Sequence, residues 1–184
     1  MTKIKKYFSG KKILVVGGNG YLGSNLIGVL KNVKCKIFCL DRISGAKIGK
    51  NSTAEIKEVI DDIRNSDIWS QLLEGIDFIY YFAGQTSVYK SNENPNEDFE
   101  INVKPLFNLL ETCRKQNFHP GILFSGTVTE TGIPVALPVN ELHPDNPVSV
   151  YDLHKLIAEY YLKYYSNREI VRGVTLRLAN VYGP

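Results

Sequence analysis

Cysteine, tryptophan and methionine are scarce in this 184-residue sequence, at three, one and one. Cys35, Cys39 and Cys113 make an odd set without metal-type spacing. That excludes a disulfide scaffold and a zinc module, and no metal site is expected. A surplus of one charge is missing too. Lys and Arg number 22 against 19 Asp and Glu, a net charge of +3. Only Lys3, Lys5, Lys6, Lys11 and Lys12 cluster, and they read as a solvated leader rather than a nucleic-acid patch. No apolar run nears the ~20 residues that cross a bilayer. The first residues lack the apolar core of a secretory signal. Neither nucleic acid nor membrane is an expected partner. What remains is a cytoplasmic, reduced, globular chain, and its 43% hydrophobic residues can fill a core.

The apolar pattern alternates between two periods. Residues 1–10 read as a loose leader and 11–184 as one domain. Ile13-Leu14-Val15-Val16 stops at glycine and predicts a strand buried on both faces. Leu22, Leu26, Ile27 and Leu30 recur at helical spacing. Further strands are expected at 36–40, 56–60, 78–82, 121–124 and 174–178. Residues 43–54 and 131–147 read as loops. Ile68, Trp69, Leu72 and Leu73 suggest a short helix closed by Gly75. A longer helix follows Pro95 and should be kinked or displaced at Pro105. The last helix is expected over 150–165. Alternating strands and helices predict an α/β fold, a doubly wound parallel sheet.

Gly17, Gly20 and Gly23 recur every third residue between the first strand and its helix. In that context the first glycine makes the tight turn. The second lets backbone approach a pyrophosphate, and the third lets helix pack on strand. The helix N-terminus, with Tyr21 and Leu22 in its first turn, offers free N–H groups to phosphate. Asp41 ends the second strand near the ~20-residue spacing of the acid that holds a ribose. Its carboxylate accepts from both ribose hydroxyls and repels a 2′-phosphate. Arg42 pulls the other way, since a guanidinium can clamp phosphate or stack on adenine. The balance favours NAD over NADP.

Tyr151 and Lys155 share a helix face at i,i+4. A tyrosine at its ordinary pKa of ~10 is a poor base at neutral pH. A lysine ammonium one turn away, with a nicotinamide cation near it, should favour phenolate. Thr127 ends the fifth strand, where a doubly wound sheet binds ligands, and could hydrogen-bond a hydroxyl being oxidised.

Taken together, these motifs resemble the extended short-chain dehydrogenase/reductase family, in its branch of NAD-dependent sugar-nucleotide epimerases and dehydratases. The resemblance rests on the glycine turn, Asp41, Asp62-Ile63, Phe82-Ala83-Gly84-Gln85, Asn102, Thr127, Tyr151-x-x-x-Lys155 and Asn180-Val181-Tyr182-Gly183-Pro184, all in the family's order. It implies that Asp62 and Ile63 meet adenine and that Phe82, Ala83, Gly84 and Gln85 run beside the cofactor. It places Asn102 with the cofactor set, and Thr127 and Asn180 against a nucleotide-sugar substrate. Thr127, Tyr151 and Lys155 would be catalytic, and Tyr151 and Lys155 would also contact the cofactor, Lys155 at the nicotinamide ribose. It further implies a homodimer paired through the helices around 96–117 and 150–165.

Two departures matter. The 4,6-dehydratases carry an Asp-Glu pair where this chain has Val128-Thr129, so dehydration lacks its acid and base. Family members also continue past the Asn180 segment into a substrate lobe. The 184 residues are therefore expected to bind NAD without turning over a nucleotide sugar. A 4-epimerase with transient hydride transfer is the leading reading. An NAD(P)H-dependent reductase or dehydratase of the same family, or a non-catalytic NAD-binding module, is the alternative.

Overall fold

The computed structural model describes residues 3–45 and 52–183. Residues 46–51 of the loop expected at 43–54, Met1 and Thr2 of the leader, and Pro184 of the Asn180 segment lie outside the described residues. Six strands, β1 Lys12–Val16, β2 Lys36–Asp41, β3 Glu55–Ile60, β4 Phe78–Tyr81, β5 Gly121–Thr127 and β6 Arg172–Leu178, form one sheet. All its pairs are parallel and the order is β3-β2-β1-β4-β5-β6. The chain leaves β1 in one direction and returns at β4 on its other side. That reversal opens a crevice beyond the strand C-termini.

Burial explains the composition of each strand. Ile13, Leu14, Val15 and Val16 at the sheet centre are fully buried. At the edge, β3 mixes Glu55, Lys57 and Glu58 with half-buried Ile56 and Val59. Charges there guard an open edge against further pairing. One face of the sheet packs on α3 Asp67–Leu72, α6 Lys104–Gln116 and α7 Val150–Asn167, through Trp69, Leu106, Leu110 and Leu162 among others. The other face packs Ile13, Val15 and Ile37 on Ile27 and Leu30 of α2 Tyr21–Leu30.

Four local expectations change. The leader is not loose throughout, because Lys3–Phe8 form helix α1 and the Phe8 ring packs edge-on to Phe78 at 5.5 Å. A short helix, α4 Val88–Glu93, was missed, since Val88-Tyr89-Lys90-Ser91 carries no helical apolar period; Ser87 caps it by accepting from the Lys90 N–H. Strand β5 runs on past Phe124 to Thr127, because β6 pairs with it as far as Leu178. The helix after Pro95 is two helices, α5 Pro95–Asn102 and α6, parted at Val103. Pro105 lies in the first turn of α6, where its missing N–H costs nothing.

Candidate active site

At the first turn, Gly17 has φ +79°, and a Cβ there would lie 2.7 Å from the Ala83 nitrogen. A Cβ on Gly23 would lie 2.3 Å from the Gly17 carbonyl oxygen. The turn is thus pressed between β4 and the first turn of α2, and only glycine fits at both places. Gly20 begins α2 in extended conformation, and no side chain caps that end. The helix N-terminus is left as an uncapped cradle for an anion, which fits the pyrophosphate of a dinucleotide.

Two adjoining clefts lie along the strand ends. The first, about 180 Å³, is lined by Gly17, Gly20, Asp41, Arg42, Asp62, Ile63, Phe82, Ala83 and Gly84. The second, about 490 Å³, is lined by Leu22, Phe82, Gly84, Gln85, Thr127, Tyr151, Lys155 and Asn180. Phe82 and Gly84 belong to both, so the clefts form one crevice. Residues named from seven separate stretches of sequence therefore meet along it.

At the first cleft the polar groups are partly satisfied by backbone. Asp41 Oδ2 accepts from the Asn19 N–H at 3.0 Å. Asp62 is engaged by Arg64, Nη2 to Oδ2 at 2.6 Å and Nε to Oδ1 at 3.0 Å. That guanidinium holds the Asp62 carboxyl below the usual carboxylate range. Asp61 and Arg64 also line this cleft and were missed as site residues. The Asp61-Asp62 pair following a strand was the only available signal.

At the second cleft the groups are buried and strongly perturbed. Ser149 caps α7 by accepting from the Asp152 N–H at 3.1 Å, which sets Tyr151 and Lys155 on successive turns facing the crevice. Lys155 is 5% exposed, with Nζ 4.1 Å from the centre of the Phe124 ring. Burial lowers its pKa to about 8, against the pull of Glu130, Asp98 and Glu159. Burial, then Asp152, Glu130 and Asp98, raise Tyr151 to about 12. The expected phenolate therefore depends on the nicotinamide cation as well as on Lys155. Burial first, and then the three carboxylates, favour the neutral phenol, so the chain's own groups keep Tyr151 protonated.

Thr127 lies between two carboxylates. Its backbone N–H donates to Glu130 Oε1 at 2.8 Å. Its hydroxyl lies 2.9 Å from the Thr129 hydroxyl, which donates to Asp152 Oδ1. The hydrogen between the two threonines therefore comes from Thr127, which faces the cleft as an acceptor. Glu130 is fully buried, its pKa raised to about 7 chiefly by burial, with Arg177 Nε 3.2 Å away. Neither Glu130 nor Asp152 was chosen from sequence, because nothing local marks a carboxylate that will be buried under a strand end.

Two assignments move. Tyr21 is exposed on α2 and lines neither cleft. Asn102 is 3% exposed, and its amide is spent on Asp98 and the main chain of Gln85, so it supports the crevice from beneath. Among the described residues no group of His, Cys, Asp and Glu could hold a metal, and no helix is long and apolar enough to cross a membrane.

A family model for the NAD dependent epimerase/dehydratase family matches residues 13–184. A Methanocaldococcus jannaschii protein provisionally named a UDP-glucose 4-epimerase is 36% identical over 173 residues, covering 93% of this chain and 56% of that protein. The UDP-N-acetylglucosamine 4-epimerase of Methanobrevibacter ruminantium M1 superposes with a TM-score of 0.84 at 26% identity, over 96% of this chain and 57% of that one. The UDP-glucose 4-epimerase of Brucella ovis in complex with NAD gives 0.79 at 28%, over 91% and 51%. The chain spans about half the length of the curated relatives it matches.

Proposed function

This chain belongs to the NAD dependent epimerase/dehydratase family, and from that premise we propose that it serves a sugar-nucleotide epimerase of the 4-epimerase type. The observation that carries this reading is the convergence of Thr127, Tyr151 and Lys155 on the cleft that shares Phe82 and Gly84 with the glycine turn and Asp41. NAD, when bound, supplies reversible hydride acceptance and a nicotinamide cation. Gly20 and the α2 N-terminus hold its pyrophosphate, Asp41 its ribose, and Ile63 its adenine. Thr127, beside Tyr151 in the cleft, orients the sugar so that the reacting hydroxyl points its hydrogen at Tyr151. Tyr151 takes that proton once a neighbouring cation has offset the carboxylates around it. Lys155, with a pKa of about 8, is still mainly charged at neutral pH and contributes to that offset. With Val128-Thr129 after Thr127, no acid–base pair for dehydration stands in the expected place.

Calorimetric titration with NAD and NADP tests the cofactor. NAD should bind more tightly, and Asp41→Ala should weaken it by about 1–3 kcal/mol, the scale of hydrogen bonds to a charged group. Tighter NADP binding would reject the assignment. The substrate is proposed as a UDP-sugar, from the names of the relatives. Binding to a panel of UDP-, dTDP-, CDP- and GDP-sugars in the presence of NAD tests that choice.

The partner is proposed as a second copy of the chain. Ile157, Tyr160, Tyr161, Tyr164 and Tyr165 line an apolar groove of about 340 Å³ along α7, and the Phe107 ring of α6 lies tilted beside Tyr161 at 5.1 Å. A two-fold axis through this face would make an isologous contact. Sedimentation at tens of micromolar should give a dimer, and Tyr161→Glu a monomer. The cytoplasm is the proposed compartment. Cys35, Cys39 and Cys113, buried and unpaired, fit it.

A further inference from the structure

Two helices and a loop meet at one buried carboxylate. Asp98 on α5 is 1% exposed and engages three side chains. Gln85 Nε2 and Asn102 Nδ2 both donate to its Oδ1 at 2.9 Å. His154 Nδ1 lies 2.7 Å from its Oδ2. Facing a carboxylate, that nitrogen is the donor, so it carries the ring hydrogen.

Asn102 closes the arrangement from below. Its Oδ1 accepts from the Gln85 N–H and its Nδ2 donates to the Gln85 carbonyl, each at 3.0 Å. The Gln85 side chain then folds onto Ser87, with Nε2 donating to the carbonyl at 2.9 Å and Oε1 accepting from the N–H. Gly84, Gln85 and Thr86 line the second cleft. His154 lies in sequence between Tyr151 and Lys155 on α7, yet it lines neither cleft and turns to α5. Phe99, also on α5, meets its ring edge-on at 5.6 Å.

We infer that Asp98 and His154 are positioning residues that tie the Tyr151–Lys155 helix to the Gln85 segment, fixing the spacing between the two sides of the crevice. Apolar packing between α5 and α7 would let the helices slide. A buried, fully partnered carboxylate does not, because a small displacement leaves a charge without its donors. The route is indirect. His154 reaches Gln85 only through Asp98, so its loss should be felt at a loop that it does not touch. This assignment deepens the reading given under Proposed function, and only its nucleotide measurement depends on that reading.

The test compares His154→Ser, whose side chain is too short to reach Asp98, with His154→Asn, whose amide can place a donor near the Nδ1 position. Amide hydrogen exchange is followed at Gln85 and Ser87, with Leu14 in the central strand as a control, and NAD affinity is measured alongside. In His154→Ser, exchange at Gln85 and Ser87 should accelerate about tenfold or more, on the scale of a lost hydrogen bond to a charged group. Leu14 should stay unchanged, NAD should bind several-fold more weakly, and His154→Asn should restore both. Unchanged exchange at Gln85 and Ser87 in His154→Ser would overturn the inference. So would equal loss in the two variants, or acceleration shared by Leu14, which would mean general destabilisation. If the unaltered chain fails to bind NAD, the cofactor reading falls, and the exchange data still decide the clamp.

Discussion

The two halves of the crevice are built in opposite ways. The half between β1 and β3 is made of main chain: a glycine turn, a bare helix end, and carboxylates near the surface held by backbone N–H groups or a neighbouring arginine. The half between β4 and β6 is made of side chains from distant stretches, buried beside one another and displaced from their ordinary titration. A half whose task is to grip phosphate and ribose can work with fixed dipoles and exposed charge. A half whose task is to move a proton needs groups whose pKa values have been shifted, and burial is how a protein shifts them. The difference also separates robustness from sensitivity. The first half should fail through shape, the second through charge.

Tyr151→Phe is the largest expected effect. Turnover, measured in a form of the protein that acts on a nucleotide sugar, should fall by about 10²–10⁴, the usual share of acid–base catalysis. NAD affinity should be nearly unchanged. Wild-type turnover would remove Tyr151 from the chemistry and break the contrast.

Gly23→Ala comes next and probes shape alone. The new methyl would meet the Gly17 carbonyl at 2.3 Å, and backbone cannot retreat there without moving the turn. Stability should drop by about 1–3 kcal/mol, as overpacking does, and NAD binding should be lost with it. Denaturant unfolding and titration check both. A neutral result would mean that the turn is not pressed against α2.

Glu130→Gln probes charge alone. In the fold Glu130 titrates near 7 instead of 4.5. Between those values the native state holds a proton that the unfolded chain has released. Its stability should therefore fall as pH rises from about 4.5 to 7 and level off above. Glutamine can still accept from the Thr127 N–H, so the variant should lose this slope while keeping the fold. The difference should be on the order of 3 kcal/mol across the window, at about 1.4 kcal/mol for each pKa unit of the shift. Thermal melts of both proteins at pH 5 and pH 8 measure it. Parallel melting changes would show that Glu130 does not titrate there.

Arg64→Ala should have the smallest consequence. Its pair with Asp62 is partly exposed, at 43% and 29%. Such pairs contribute about 1 kcal/mol or less. Unfolding at low and high salt should show a small, salt-sensitive loss. A larger one would mean that the first half depends on charge more than its exposure suggests.

The glycine turn, Asp41, Tyr151-x-x-x-Lys155 and the alternation of strand and helix could be read from the sequence, because each is a relation among near neighbours. A turn conformation, a helix face and a period of apolar residues are local, and the parallel sheet follows from their alternation. The sequence also placed Thr127 at a strand end, although the strand proved longer once β6 had paired along it. Tertiary structure alone decided the electrostatics. Asp152 follows Tyr151 on the same helix, but Asp98 and Glu130 come from other elements, and only packing brings them close enough to raise the Tyr151 pKa further. Packing likewise turned Asn102 from a cofactor contact into a support and gave His154 a partner 56 residues away. The physical reason is range. Backbone conformation is set within a few residues along the chain, whereas desolvation and Coulomb interaction depend on distance in space, which no single stretch of sequence encodes.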